Sequence, residues 1–388
     1  MKIIYFTTAC SKDDYISFCQ NWNSSLNTSI QNLHNRLIRS LALTHEVEVI
    51  SVRPFSKKYC KLKMLPESFT SEGKISWHYI AIKRNKVIRF ISAKKQAQKL
   101  LSKMNLKDCV IVSDTLNPYL LNSSTSAAKK FHLPIIGVCN NTPSGIRDTG
   151  RSYTTFLLNL ADNLSGYVAM TPGLNDLFNE QSRASMVVEG ILEDKYNEID
   201  VSKYGKYIFY NGSLEEKYGV FDLIKAFKEL NRNNIKLIIS GYHNFEEKKF
   251  YKAIENNPDI IFLGMVNVDE ALSLANHSLV NVNPRPYSED YDRYLIPVNM
   301  IDYLGSNSIT VSVKNSKLQQ YFNNDCIWVN SSDLVDLVNG LNKALSLKKD
   351  EREQMIKRAN ADANKLYSMN VVNRKTILFL KQFLKQKD

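Results

Sequence analysis

Short, continuous apolar runs alternate with amphipathic stretches along nearly the whole 388-residue chain, and this rhythm constrains the fold more than any other feature. Lys2–Thr7, Glu46–Val52, Cys109–Ser113 (CVIVS), Ile135–Val138 (IIGV) and Gly166–Met170 read as strands. Between them, Ile30–Leu43, Ser123–Phe131, Tyr153–Asp162 and Pro172–Glu180 read as helices. A strand that is apolar at every position has both faces covered, the mark of a parallel sheet with helices on either side. After the polar stretch 193–206 (EDKYNEIDVSKYGK) the rhythm restarts. Strands are predicted at Tyr207–Tyr210, Lys236–Ser240, Ile260–Leu263, Ser278–Val282 and Ile309–Val313, with helices at Phe221–Leu230, Glu270–Ala275, Pro297–Leu304 and Leu334–Leu345. The expected class is therefore α/β: two doubly wound, Rossmann-like domains, 1–192 and 207–365, joined by a linker at 193–206. Such a pair faces each other across a cleft at the carboxyl ends of the strands. The last segment, Asp350–Asp388, is mostly helical and too long to be only the closing helix of the second domain, so its end, 366–388, is expected to return to the first.

Composition narrows the class. With 44% apolar residues and 23% charged, the chain is neither disordered nor low-complexity. No run approaches a membrane span, and the start, MKIIYFTTACSKDD, turns polar too quickly for a signal peptide. The six cysteines are far apart with no C-x-x-C pair, which argues against a disulfide framework or a zinc site and for a reducing cytoplasm. Of the net charge of +12, residues 1–190 carry +11. The densest part, Lys83–Lys107, has nine basic residues and no acidic one, and suits an anionic surface. Few aromatics interrupt it, so nucleic acid is not the expected partner.

No phosphate-loop motif, strand-linked G-x-G-x-x-G, H-E-x-x-H or G-x-S-x-G occurs, which disfavours a kinase-type NTPase, a standard dinucleotide oxidoreductase and a hydrolase triad. The informative block is Asn281–Ser312: a strand end, the rigid turn Pro284-Arg285-Pro286, an acidic Tyr-rich loop, then a helix opening near Pro297. The helix start, with Arg285 gripping bidentately, suits a phosphate. Asp302, one turn in, suits a ribose diol. Upstream, Asn211–Phe227 is again strand, small-residue turn and helix, and places Lys217 for a second phosphate oxygen. In the first domain, Asp114 follows the strand CVIVS and is expected at a carboxyl strand end facing the cleft. Asn140 and Asn141 occupy the equivalent place after IIGVC. His34 lies in an amphipathic helix, ordinarily a surface position for histidine. Asn27 and Ser29 precede that helix.

Gly212-Ser213-Leu214, Tyr218-Gly219, Phe262-Leu263-Gly264, Asn283 to Pro286, then Tyr294, Pro297, Asp302-Tyr303 and Ser306 carry a resemblance. They are similar to the donor-binding half of retaining, two-domain GT-B glycosyltransferases (glycosyltransferase family 4-like, group 1), and within these to enzymes of bacterial capsule, exopolysaccharide and lipopolysaccharide synthesis. The family's Ser-Lys is Val298-Asn299 here, its Glu is Asp302, and its Gly-x-Pro is Asn307-Ser308-Ile309. The resemblance implies a donor site of Gly212, Ser213, Gly241, Tyr242, Gly264, Met265, Val266, Tyr294, Pro297, Val298, Asn299 and Asp302. Arg285, Lys217 and Asp114 would act catalytically, and Asn27, Ser29, His34, Asn140 and Asn141 would lie on the acceptor side. It also implies transfer of a hexose, with retention, from a nucleoside-diphosphate sugar to a lipid-linked or polysaccharide acceptor, with no metal or other cofactor. The place implied is the cytoplasm, peripherally at the inner face of the cell membrane, where the charge of Lys83–Lys107 is expected to hold the chain to anionic lipid. The alternative is a partner subunit of the same fold that binds nucleotide or glycan without turnover.

Overall fold

The computed structural model describes residues 1–22, 28–53, 64–143, 151–193, 195–230, 232, 234–242 and 247–384. They form two compact units. The first takes Met1–Ile191, Arg293–Leu295 and Met369–Asp388; the second takes Leu192–Asp292 and Ile296–Ser368.

In the first unit the strands are β1 (Lys2–Thr7), β2 (Val47–Ser51), β3 (Met64–Leu65), β4 (Ser68–Glu72), β5 (Ile75–Tyr79), β6 (Ile82–Lys83), β7 (Cys109–Asp114), β8 (Ile135–Cys139), β9 (Gly166–Ala169) and β10 (Ser185–Val187). Eight of them make one sheet in the order β10-β9-β8-β7-β1-β2-β5-β4. Every pairing is parallel except the edge hairpin β4–β5, whose outer strand is exposed at all five positions. β3 and β6 pair separately, antiparallel. The helix Met369–Lys381 belongs to this unit. Its Met369, Val372, Ile377, Phe379 and Leu380 join the core formed by Tyr5, Leu37, Val49, Trp77 and Val112. Asn373 fixes its register, donating to the Ser40 carbonyl at 2.6 Å, while the Ser40 hydroxyl donates to the Met369 carbonyl at 2.8 Å.

The second unit has six parallel strands: β11 (Tyr207–Ser213), β12 (Lys236–Tyr242), β13 (Ile260–Phe262), β14 (Val280–Asn283), β15 (Ile309–Val313) and β16 (Ile327–Val329), ordered β13-β12-β11-β14-β15-β16. Both faces are buried, which is why YIFY at 207–210 is apolar throughout. Ile208 and Tyr210 enter one core with Leu223 and Val282, whereas Tyr207 and Phe209 enter another with Met300 and Leu304. The expected α/β class holds. Within the stretch read as a linker, Val201 is buried in the second core and the Ile199 amide donates to Ser273 at 2.9 Å. The helix Lys349–Tyr367 stays with the second unit, and Ser368, extended at φ −56° and ψ 148°, separates it from Met369–Lys381.

Five apolar side chains of Met369–Lys381 are buried, each worth roughly 1.5–3 kcal/mol. Their sum rivals the whole stability of a typical domain, about 5–15 kcal/mol. A chain ending at Ser368 should therefore lose amide protection in β1, β7 and β8 when followed by hydrogen exchange. Retained protection there would show that the helix is dispensable.

Candidate functional site

Strand order places a crevice in the second unit. From β11 the connections run outward through β12 and β13, and from β14 through β15 and β16, so chain direction diverges between β11 and β14. Ligands of open α/β sheets bind at such a divergence, beyond the carboxyl ends of the strands. There the turn after β11 meets the turn after β14. Gly219 has φ +78°, and a Cβ on it would lie 2.0 Å from the Pro284 carbonyl oxygen, so only glycine lets the two backbones approach. Gly241, at the end of β12, is under the same constraint: φ is +148° and a Cβ would stand 1.8 Å from the Gly212 oxygen.

Arg285 follows directly from the Pro284 contact. Its guanidinium carbon is 3.9 Å from the ring centroid of Tyr291 and 4.7 Å from that of Tyr218. Tyr291 is buried on the short helix Glu289–Tyr294, and Tyr218 lies in the turn Glu216–Tyr218. The Ser213 hydroxyl, at the end of β11, is buried without a hydrogen-bond partner. Lys217 differs from Arg285. It is 67% exposed and pairs with the Glu215 carboxylate at 2.9 Å, which holds its ammonium above the usual range. The open groove beside it, about 490 Å³, is lined by Glu215, Glu216, Lys217, Asp222 and Pro286. Glu215 pairs with Lys217, Glu216 with Lys249 and Asp222 with Lys225, so the lysines around that groove are already committed to carboxylates, which makes it a poor seat for a diphosphate. The cation suited to an anion is Arg285.

The helix Val298–Leu304 begins at Pro297, which offers no side-chain cap. Asn299, standing where the resemblance expects lysine, donates to the Asn211 carbonyl on β11. The Tyr303 hydroxyl accepts from the Asn211 amide at 2.9 Å. Together they fasten this helix to the end of β11, leaving Asp302 half-buried one turn in. Gly264, Met265 and Val266 follow β13, and the Gly264 carbonyl accepts from the Gly241 amide at 2.8 Å. Burial and the neighbouring Tyr218 and Glu215 raise the Tyr242 phenol, so these three groups converge. Tyr294 falls, with Arg293 and Leu295, in the first unit, whereas the other donor-side residues fall in the second. Among the described residues no group of three or more His, Cys, Asp or Glu side chains is placed to hold a metal.

In the first unit the connections diverge between β1 and β7. His34, expected on a helix surface, is instead fully buried there. Its Nδ1 is 2.7 Å from the Tyr5 hydroxyl and its Nε2 is 3.8 Å from Asp114 Oδ2 and 3.4 Å from the Asn140 amide. Asp114 stands at the carboxyl end of β7, as expected, and is 1% exposed, with Oδ1 accepting from the Leu116 amide at 2.8 Å. Asn140 is also buried, and its Oδ1 has no partner. Asn141 is turned onto its own loop, accepting from the Thr142 amide at 2.8 Å. Ser29 is described only as part of the helix Thr28–Ala42, and Asn27 lies outside the described residues. Tyr5, Tyr218 and Tyr291 were not among the expected site residues. Tyr218 and Tyr291 stand inside the motifs, but only the folded contacts single them out.

Residues 193–362 match the family model for glycosyl transferases group 1. No curated protein matches the sequence. Several solved structures share the fold along nearly the whole chain. An Escherichia coli structure described as trehalose-6-phosphate bound with UDP-2-fluoro glucose has TM-score 0.68 at 11% identity, covering 98% of this chain and 99% of that one. A structure from work on glycosyltransfer with retention, using bisubstrate glycomimetics of trehalose-6-phosphate synthase, has TM-score 0.66 at 12% identity, with coverage of 98% and 99%. Sucrose-phosphate synthase from Thermosynechococcus elongatus has TM-score 0.68 at 9% identity, with coverage of 99% and 100%. The chain thus has the GT-B fold of these glycosyltransferases, and at such identities the likeness is one of fold.

The buried couple in the first unit gives a pH dependence. Burial lowers the pKa of His34, partly opposed by Asp114, and raises that of Asp114, partly opposed by His34. Unfolding lets His34 take a proton below about 6.5 that the folded state resists, so its contribution to stability is lost as pH falls from there. Asp114 acts in the other direction, favouring the folded state toward low pH. Acidification from neutral to mildly acid pH should therefore lower the melting midpoint read from tryptophan fluorescence, and His34→Gln should flatten that segment of the curve. An unchanged slope in the variant would remove His34 as its source.

Proposed function

We propose that the protein is a glycosyltransferase that takes a hexose from a nucleoside-diphosphate sugar. The carrying observation is Arg285, packed against two tyrosine rings at the strand divergence of the unit that matches the group 1 model. In this reading Arg285 meets the diphosphate and stabilises the negative charge that develops as it departs, the point at which electrostatic help accelerates transfer. Asp302 accepts from the ribose diol, and the backbone ends of β12 and β13 at Gly241 and Gly264 flank the base. A leaving phosphate oxygen takes the acceptor's proton, so no separate enzymic base is required, and the anomeric configuration is retained. No resident metal takes part. The acceptor is proposed to be lipid-linked or a growing polysaccharide, met by the first unit near Asp114 and Asn140 at the cytoplasmic face of the cell membrane, in surface-polysaccharide synthesis. The fold neighbours named for trehalose 6-phosphate and sucrose phosphate make sugar phosphates the competing acceptor class.

Release of nucleoside diphosphate tests this. Purified protein, offered a panel of nucleotide sugars, should release nucleoside diphosphate faster when lipid-linked or oligosaccharide acceptors are added. Stimulation by sugar phosphates alone would change the acceptor, and nucleotide binding without release would make the chain a non-catalytic partner.

Two substitutions test the residues. Arg285→Ala should weaken nucleoside-diphosphate binding by about 1.5–3 kcal/mol, the scale of a hydrogen bond to a charged group. Arg285→Lys should recover part of this, since lysine keeps the charge but not the planar fork. Calorimetry that finds Arg285→Ala unchanged would remove Arg285 from the site. Asp302→Asn should weaken binding of ribonucleotides with little change in the melting midpoint. A large loss of stability with normal binding would make Asp302 a structural group.

A further inference from the structure

The basic segment of the first unit has a defined outer face. Lys86–Leu101 is a helix, capped by Asn85, whose side chain accepts from the Val87 and Ile88 amides. It turns Ala93, Ala97 and Leu101 inward. The opposite face begins with Val87, 68% exposed, Ile88, 51%, and Ile91, 52%. One and two turns further along the same face stand Lys94, Lys95 and Lys99, all exposed. Exposed Lys83, Arg84 and Lys86 flank the apolar end. Phe156, from the helix Arg151–Ala161, adds a further exposed ring, with its centroid 6.3 Å from that of Phe90. The arrangement is built rigidly. Arg89 donates to the Lys83 and Arg84 carbonyls and lies over the Tyr119 ring at 5.4 Å, pinning the cationic turn to the helix start. Of the apolar residues that interrupt the cations between Lys83 and Lys107, Val87 and Ile91 are exposed, Leu101 is fully buried, and Phe90, Leu100 and Met104 are half-buried.

We infer that Val87, Ile88 and Ile91 form a wedge that enters the headgroup boundary of an anionic bilayer while the surrounding lysines and arginines hold its phosphates. Exposed aliphatic side chains gain from acyl chains, and the cations ringing them gain from negative lipid headgroups. A nucleic acid would engage the cations but offers nothing to three aliphatic side chains, and its usual aromatic platforms are absent from this face of the helix. Nine basic residues without an acidic one make the charge match one-sided. No helix among the described residues is long and apolar enough to cross a membrane, so this is contact with a surface rather than insertion across it. The inference deepens the proposed membrane-side acceptor and rests on that reading for its purpose, but its measurement needs neither donor nor acceptor.

Co-sedimentation of the full chain with vesicles of phosphatidylglycerol and phosphatidylcholine should be strong at low salt, decline as salt is raised, and vanish with phosphatidylcholine alone. Lys94→Glu with Lys95→Glu should reduce partitioning by at least about fivefold per charge lost. Ile88→Ser with Ile91→Ser should reduce it more than about tenfold at unchanged charge. A tryptophan introduced by Val87→Trp should shift to the blue and be quenched by brominated lipid. All these positions are exposed, so melting midpoint and nucleotide affinity should stay as in the parent, which separates failure here from failure of the transferase reading. The inference is overturned if the parent ignores anionic vesicles at low salt, if Ile88→Ser with Ile91→Ser partitions normally, or if that pair instead dissolves a self-associated form of the chain. Dependence of RNA binding on the isoleucines would overturn it too.

Discussion

The arrangement in the second unit depends on how closely the Gly219 backbone approaches the Pro284 carbonyl. Any side chain at 219 would stand 2.0 Å from that oxygen and force the turn after β11 away from the turn after β14. Tyr218 immediately precedes Gly219, and Arg285 immediately follows Pro284. The same contact therefore sets the 4.7 Å separation between ring and guanidinium. Parallel pairing of β11 with β14 brings the two turns to one sheet end although 70 or so residues separate them, and the glycine closes the last few ångströms. A chain with the same strands and an alanine at 219 would keep its sheet and lose the geometry above it.

Holding an arginine with aromatic faces differs in kind from holding it with a carboxylate. A ring packed against a guanidinium attracts its charge without cancelling it, and the group keeps N–H donors with which to meet an oxyanion. Lys217, in the turn after β11, is the counterexample, since its pairing with Glu215 spends much of its field before any ligand arrives. The loss of the family lysine at position 299 then reads as a change of task. Asn299 and Tyr303 bind both backbone groups of Asn211 and fix the helix on which Asp302 stands.

Much of this was legible in the sequence, and the exceptions have physical causes. Continuous runs such as YIFY and CVIVS declare strands because both faces are buried. The edge hairpin Ser68–Tyr79 went unread because β4 has no buried face to impose alternation. His34 was misplaced although the signal existed: it lies three and seven positions before Leu37 and Leu41, on the inward stripe, and a polar residue type outweighed that spacing. The motif residues around Arg285 were read for their charges and glycines. Its two tyrosine neighbours come from turns either side of the sheet divergence, and no local pattern records that meeting. The apolar tip of Lys86–Leu101 was half-read for the same reason. Packing against Pro118–Phe131 decides which apolar residues turn inward, and a charge count cannot.

The two strand divergences also differ in electrostatic character, and this bears on what the charge of the first unit is for. At β11 and β14 an uncompensated cation stands at the strand ends. At β1 and β7 the polar groups are His34, Asp114, Tyr5 and Asn140, buried together, with burial opposing charge on both the imidazole and the carboxyl. Such a cluster orients hydroxyls through hydrogen bonds and contributes little field at long range. The excess of +11 in residues 1–190 is thus not concentrated in that crevice. Nine of its cations lie within Lys83–Lys107, around an apolar tip. Electrostatics that act over a Debye length of roughly 8 Å suit docking to a surface, whereas short hydrogen bonds suit selecting a substrate group. In the first unit the buried polar cluster and the basic helix are different elements, so either can be altered by substitution without disturbing the other.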